Sequence, residues 1–473
     1  MFLHILLGVM LIKSTADCVF EVVETTEGQV QGALEDDGDY YAFYGIRYGA
    51  DTSGVNRFKA PNPPPSYQGV FNAIDRDVLC PQPSSENPEN IIGTEDCLRL
   101  SIFTPNDTND NPVLVWLIGE EYMTSNPLEH SFRRLVQEKF TVVAMNYRLS
   151  VLGFLCLGIE EAPGNAGLKD VIQGLKWIKN NIKAFGGDSN NVLLFGHGSG
   201  AAMVDLVTMS PLAEGLMHKV IAQSGSAIAP WAVSYSPVAS AFKLGAQLGY
   251  RDNDRRILVQ TLISAKIREL IYPIVHNTSN APNVPQFAPC IENENLDPDN
   301  RFLTDAPLNL LRQGTYSRVP YIGGYVNREG SVRTDKAVNG NWLQLMDNEF
   351  NKFVPIDLIF SDDLENATRT FYFGNRTINM QLIQNYLEYH GDMLAVMSVI
   401  RGAGMRSMSS DTWLMEFFYR GGNESYWPFP EIPLTGVRHG EILKYLLDIH
   451  LDSNDTQVSD SLIGRYMNFA RTG

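Results

Sequence analysis

The chain has 473 residues and a net charge of −17, with 54 acidic against 37 basic side chains. A chain this acidic is poorly suited to neutralising phosphates, so we do not expect nucleic acid as a partner. Because 44% of the residues are hydrophobic and only 19% are charged, the composition is that of a globular protein with a large core.

The N-terminus predicts an export signal. An apolar run at 2–12 precedes small residues at 14–16, which predicts a signal peptide of residues 1–16 and a mature chain of 17–473. The run is too short to cross a bilayer, and no later apolar run is long enough, so we expect no membrane span. N-glycosylation sequons begin at Asn106, Asn277, Asn366, Asn375, Asn423 and Asn454. Together these features predict a secreted, extracellular glycoprotein.

The hydrophobic pattern predicts one α/β domain. Alternating residues at 19–34 and 40–49 favour antiparallel strands near the N-terminus. Apolar residues recur every three or four positions in 166–184, which predicts a helix. Short apolar runs typical of strands buried on both faces lie at 113–118, 141–146, 192–195, 220–223 and 320–326. Since a strand, a helix and a strand follow one another, the central sheet should be largely parallel.

One of these strands ends in a glycine-rich turn. The run 192–195 leads directly into Gly196-His197-Gly198-Ser199-Gly200 and then into an apolar helical segment. A strand, a tight glycine turn and a helix in this order are the setting of a nucleophile elbow.

The segment FGGDSNNVLLFGHGSGAA resembles the elbow signature of the cholinesterase and type B carboxylesterase family. Further similar segments occur in the family's order at 95–105, 145–155, 163–170 and 221–232. The resemblance implies an α/β-hydrolase fold: a central, mostly parallel sheet with helices on both faces and antiparallel strands at its N-terminal side. The family continues past a segment similar to that ending at Gly473, so we expect the domain to be truncated at its C-terminus.

The resemblance places glycine where the family has its nucleophilic serine. Aligning Gly196 and Gly200 with the two glycines of the signature puts Gly198 at that position, and glycine has no atom that attacks a carbonyl. Ser199 is one residue beyond the apex of the turn. We therefore interpret Ser199 as a residue of the first helical turn and expect no covalent acyl-enzyme at Gly198.

The same resemblance identifies the other members of the site. Glu329 corresponds to the family's acid and His439 to its histidine, which we expect to persist as a structural hydrogen-bonded pair. The oxyanion-hole segment reads Gly119-Glu120-Glu121, with glutamates in place of two glycines, and a carboxylate there opposes a developing oxyanion. If either glutamate lies near His439, the nearby negative charge should raise the pKa of this histidine.

The five cysteines are expected to behave differently. Resemblance to the family implies a disulfide between Cys80 and Cys97. Cys156 and Cys290 lie in apolar runs, which favours two buried thiols. Cys18 either bonds to another chain or stays unpaired. No recognised metal-ligand spacing occurs, so neither a metal nor another cofactor is expected, and a metal held by His439, His197 and the glutamates is only a minor alternative.

The missing nucleophile favours a non-catalytic function. The chain is most similar in this respect to the adhesion subgroup that includes neuroligins, gliotactin, neurotactin and glutactin, and closest in character to glutactin. This implies an extracellular protein partner, in cell adhesion or the extracellular matrix, with a homodimer as a further alternative. Two other functions stay open: a carboxylester hydrolase that uses Ser199 or water activated by His439, and a binder of a hydrophobic ligand in a vestigial gorge.

Overall fold

The computed structural model describes residues 20–35, 40–107, 109–276, 285–354, 362–421, 428–430, 432, 435–447 and 451–473. The predicted signal peptide, Cys18 and the sequons at Asn277 and Asn423 lie outside these residues. The other four sequon asparagines are exposed: Asn106, Asn366, Asn375 and Asn454.

The strands of the described residues are β1 (Phe20–Thr25), β2 (Gly28–Leu34), β3 (Tyr40–Arg47), β4 (Phe71–Asn72), β5 (Gln82–Pro83), β6 (Ile91–Ile92), β7 (Arg99–Pro105), β8 (Asn111–Gly119), β9 (Thr141–Met145), β10 (Gly187–Gly198), β11 (Lys219–Gln223), β12 (Tyr321–Val326) and β13 (Thr412–Phe417).

The α-helices are α1 (Arg133–Gln137), α2 (Ser150–Phe154), α3 (Ala166–Asn181), α4 (Ser199–Val207), α5 (Pro237–Gln247), α6 (Arg255–Ser264), α7 (Ile267–His276), α8 (Pro307–Gln313), α9 (Thr334–Val338), α10 (Trp342–Asn348), α11 (Asp362–Phe373), α12 (Ile383–Gly391), α13 (Met397–Arg406) and α14 (Ser453–Thr472).

These strands form one large mixed sheet and one small hairpin. The large sheet has the order β1-β2-β3-β7-β9-β8-β10-β11-β12-β13, with β4 beside β2, while β5 pairs with β6. Neighbours from β1 to β9 in this order are antiparallel, and all pairs from β9 onward to β13 are parallel. The predicted α/β-hydrolase architecture, with antiparallel strands at the N-terminal side, is therefore confirmed.

Burial on both faces explains the continuous apolar runs. Along β8, Val113, Val115 and Leu117 belong to one hydrophobic core. Leu114 and Trp116 point to the opposite face and belong to a second core. Successive side chains of a strand alternate between faces, so a strand covered on both sides needs apolar residues at every position.

Two disulfides occur among the described residues. Cys80 bonds to Cys97, as the family resemblance implied. Cys156 bonds to Cys290, so the expectation of two buried thiols is wrong. Apolar surroundings predicted burial correctly, but they contained no information that the two chain segments, 134 residues apart, meet in the fold.

Candidate functional site

The glycine turn at the end of β10 is a strained elbow. Gly198 has φ 59° and ψ −123°, a backbone conformation that side-chain-bearing residues rarely adopt. The flanking glycines are required by close packing: a Cβ on Gly196 would lie 2.3 Å from the carbonyl oxygen of Gly200, and one on Gly200 would lie 2.1 Å from that of Leu117. The turn predicted from the sequence is therefore present, with glycine at its apex.

Helix α4, which follows the elbow, is fixed to neighbouring segments. Its Asp205 is buried and accepts hydrogen bonds from the Ala227 backbone N–H at 2.7 Å and from Ser226 Oγ at 3.0 Å. The same carboxylate pairs with the buried guanidinium of Arg406 at 2.6 Å. These contacts tie α4 to the segment after β11 and to α13, so the elbow has a rigid support.

The acid and the histidine of the site meet as expected. Glu329 lies on the short 3-10 helix after β12, and its Oε2 is 2.5 Å from Nδ1 of His439. Its Oε1 accepts a hydrogen bond from the Val326 backbone N–H at 2.9 Å. The His439 backbone N–H donates to Ser331 Oγ at 3.0 Å. Both partners of the pair are thus fixed in position.

The two glutamates of the oxyanion-hole segment point in different directions. Glu121 pairs with Arg333 at 2.5 Å, and this guanidinium outweighs desolvation and lowers the pKa of the Glu121 carboxyl. Glu120 instead lies over the elbow, with Oε1 3.5 Å from His439 Nε2 and 3.7 Å from His197 Nδ1. A Cβ built on Gly198 would lie 3.1 Å from the same Oε1. The Glu120 carboxylate therefore occupies the space beside the elbow that a residue 198 side chain would enter.

Two backbone N–H groups near the elbow already have hydrogen-bond acceptors within the protein. The Glu120 N–H donates to the Thr124 carbonyl at 3.0 Å, and the Tyr122 N–H donates to Ser199 Oγ at 3.2 Å. Ser199 is 2% exposed, and among the described residues its hydroxyl makes no hydrogen bond to His439. The geometry therefore supports Ser199 as a structural residue of the first turn of α4 and not as a displaced nucleophile.

The pKa values of the two histidines of the site are shifted in opposite directions. Burial opposes the charge on His439, but the carboxylates of Glu120 and Glu329 outweigh it and raise its pKa from 6.5 to about 10. Burial, together with the charge on His439, lowers the pKa of His197 to about 3. Partial burial acts to raise the pKa of the Glu120 carboxyl, but His439 and His197 outweigh this effect and hold the pKa below the ordinary value. The raised pKa predicted for His439 agrees with this geometry, and Glu120 is the glutamate responsible.

The structure also brings together residues that local sequence patterns do not connect. The donor atoms of Glu120, His197 and His439 all lie within 4.8 Å of one another. Nε2 of His197 is buried and has no hydrogen-bond partner among the described residues. Arg333, which draws Glu121 away, and Ser331, which fixes His439, carried no recognisable signal in the sequence. These contacts join segments more than a hundred residues apart, and no local spacing reports them.

Known proteins to which this chain is similar are named as esterases. The chain is 27% identical to venom carboxylesterase-6 of Apis mellifera, with 95% of this chain and 85% of that protein covered. It is 28% identical to esterase P of Drosophila melanogaster, covering 94% of this chain and 83% of that protein. The crystal structure of juvenile hormone esterase from Manduca sexta, with OTFP covalently attached, superposes with a TM-score of 0.85 at 22% identity, covering 96% and 90% of the two chains.

These comparisons correct the predicted function. The expectation of a non-catalytic adhesion protein, closest to glutactin, is wrong, because relatives that match over most of the chain are named as esterases. The conclusion that the chain is not an enzyme is wrong on the same finding. That expectation rested on the missing hydroxyl at Gly198 and on the two glutamates of the oxyanion-hole segment, and it took both as loss of the site. The acid, the histidine and an added carboxylate remain together beside the elbow.

No helix in the described part of the chain is long and apolar enough to cross a membrane.

The profile of the carboxylesterase family matches residues 20–473, nearly the whole chain. On this match, together with the fold and the elbow, the chain belongs to the carboxylesterase family.

Proposed function

We propose that this protein hydrolyses carboxylic esters, with a water molecule in place of a serine hydroxyl as the attacking group. The esterase names of its relatives support the class of reaction. The observation that carries the proposal is the position of the Glu120 carboxylate, beside Gly198 and 3.5 Å from Nε2 of His439.

The attacking group must come from outside the chain. Gly198 offers no nucleophile, and the Ser199 hydroxyl is buried and engaged by Tyr122. Glu120 and His439 place a carboxylate oxygen and an imidazole nitrogen against the same space. The Glu120 carboxylate can accept a proton from this water, and the His439 imidazolium, with a pKa of about 10, can donate one to the departing alcohol. The Glu120 side chain is 50% exposed, so solvent reaches this space.

The reaction is a direct hydrolysis. The water oxygen forms a bond to the acyl carbon, the bond from that carbon to the alcohol oxygen breaks, and the departing alcohol takes up the proton that the water lost. Because no side chain is acylated, the product alcohol appears without an initial burst, and no acyl-enzyme accumulates.

An assay with an aryl ester and the purified mature chain tests this function. We expect turnover that falls at least about 100-fold in His439→Ala and in Glu120→Gln, since general acid–base groups contribute about that much. The control is His130→Ala, because His130 is exposed and lies outside the site. Turnover no faster than in buffer, or an acylated protein detected by mass spectrometry, would overturn the proposal.

Secretion is a second part of the proposal. Exposed sequon asparagines such as Asn366 and Asn454, and two disulfides, are features typical of proteins that pass through an oxidising compartment. A relative named as a venom protein supports the same localisation. Expression in insect cells tests it: the chain should appear in the medium, begin at residue 17 and lose mass when N-glycans are removed. Retention of an unglycosylated chain inside the cells would contradict it.

A further inference from the structure

We propose that Glu120, His197 and His439 bind one divalent transition-metal ion of the zinc class, and that this ion activates the attacking water. The inference deepens the proposed ester hydrolysis and rests on it for the reaction. Two histidines, one glutamate and an open fourth position are a ligand set of catalytic zinc sites.

The distances suit this ligand set. Zinc binds nitrogen and oxygen at about 2.0–2.2 Å in a tetrahedral arrangement, which separates neighbouring ligand atoms by about 3.3–3.5 Å. Glu120 Oε1 is 3.5 Å from His439 Nε2 and 3.7 Å from His197 Nδ1. All three donor atoms lie within 4.8 Å of one another. The two glutamate–histidine distances are thus close to the tetrahedral spacing, and the nitrogens of His197 and His439 must move closer together around an ion.

The position of His197 is a second observation. This ring lies near the end of β10, is 2% exposed and turns Nδ1 toward Glu120 Oε1, 3.7 Å away. At that distance Nδ1 makes no hydrogen bond to the carboxylate, and an ion between the two atoms would give this nitrogen the partner that buried polar groups normally have. A ring placed beside a second histidine, at a centroid distance of 4.7 Å, and beside a carboxylate has the surroundings of a metal ligand.

Glu329 supplies the outer support that such sites require. A metal-binding histidine usually donates its second ring N–H to a carboxylate, which fixes the ring and leaves the other nitrogen for the metal. The Nδ1 atom of His439 lies 2.5 Å from Glu329 Oε2, so Nε2 faces Glu120 and the candidate site. Glu329 and His439 are therefore already positioned, Glu329 to support the ring of His439 and His439 to bind the ion through Nε2.

Glycine at the elbow makes room for this site. A Cβ on Gly198 would stand 3.1 Å from Glu120 Oε1 and 3.0 Å from the Gly119 carbonyl oxygen, so a longer side chain would crowd the Glu120 carboxylate. On binding, the ion displaces the proton of His439 Nε2, because a ligating imidazole is neutral. In the reaction, the metal-bound water releases a proton to solvent, and the resulting hydroxide oxygen bonds to the acyl carbon. The bond from that carbon to the alcohol oxygen breaks, and the alcohol takes up the proton.

Metal binding is measured on the full mature chain after treatment with a chelator and removal of the chelator. We expect calorimetry to show one equivalent of Zn²⁺ bound, and Co²⁺ to give the visible absorption of a four-coordinate site. The His197→Ala variant should lose at least 100-fold in affinity. The Glu329→Gln variant should lose about 10–100-fold, as expected for an outer-shell partner. The matched control His130→Ala should bind as the wild type does.

Equal Zn²⁺ affinity in wild type and His197→Ala would overturn the site, as would binding well below one equivalent. Two controls show whether a variant has kept its fold. One is His197→Gln, which changes the side-chain volume less than His197→Ala, and the other is the unfolding midpoint of every variant. Esterase activity that is unchanged in the chelator-treated chain would overturn the metal inference and leave the hydrolysis in place. Stoichiometric Zn²⁺ without ester hydrolysis would support the site and overturn the proposed function.

Discussion

The carboxylate of Glu120 lies against Gly198, with Oε1 3.1 Å from the position of a Cβ on this glycine. Residue 120 and residue 198 are therefore coupled: a side chain at residue 198 would begin in contact with this carboxylate, so the Glu120 side chain would have to shift.

Restoring serine alone should not restore a serine esterase. In Gly198→Ser the new side chain meets Glu120, and φ 59° at a residue other than glycine costs about 1–3 kcal/mol in stability. We expect this variant to resist a fluorophosphonate probe, while Gly198→Ser with Glu120→Gly and Glu121→Gly reacts with it. Labelling followed by mass spectrometry checks both, and Ser199→Ala in the triple variant identifies the labelled serine. Rapid labelling of the single variant would show that Glu120 does not block the elbow.

Charge around His439 predicts a stability that declines in alkali. In the metal-free chain its folded pKa, about 10, exceeds the unfolded value of 6.5. The resulting stabilisation is fully present below pH 6.5 and is lost as the pH rises through about 10. Glu120→Gln should lower the pKa of His439, because the mutation removes one of its two neighbouring carboxylates.

Titration of His439 by NMR in chelator-treated wild type and in Glu120→Gln under the same conditions checks this expectation. A pKa at or below 6.5 in the wild type would mean that desolvation outweighs both carboxylates. An unchanged value in Glu120→Gln would mean that Glu329 alone sets it.

The sequence predicted the scaffold better than the site. Apolar runs identified β8, β9, β10, β11 and β12 because burial on both faces affects every residue of such strands. The elbow was recognisable because its glycines follow one another along the chain. The contact between Glu120 and His439 could not be assigned from the sequence, since it joins segments more than three hundred residues apart. Function was misjudged because a missing group is visible in a sequence, whereas a substitute assembled from distant segments is not.

His390 should make the protein sensitive to acid. Its ring is fully buried among Trp342, Phe353, Tyr386 and Tyr389, and neither ring nitrogen has a hydrogen-bond partner among the described residues. Burial, with a contribution from Arg333, holds the pKa of His390 well below 6.5. The unfolded chain therefore binds a proton more readily, and stability present above pH 6.5 is lost as the pH falls below it.

Replacing this ring by phenylalanine removes the proton-binding group and keeps the shape. We expect His390→Phe to raise the free energy of unfolding by about 1–3 kcal/mol, the cost of an unsatisfied buried polar group. The gain should be larger at pH 5 than at pH 7.5. Urea unfolding at the two pH values checks this, with His130→Phe as the exposed control. A loss of stability at both values would indicate that His390 has a hydrogen-bond partner outside the described residues.

The two disulfides should contribute unequally to stability. Cys156 and Cys290 are 134 residues apart, whereas Cys80 and Cys97 are 17 apart. In the chain-entropy treatment, the longer loop stabilises the folded state by about 2 kcal/mol more, because it restricts the unfolded chain further. We therefore expect the pair Cys156→Ala/Cys290→Ala to unfold at a lower urea concentration than the pair Cys80→Ala/Cys97→Ala. The reverse order would mean that local packing around the short loop outweighs chain entropy.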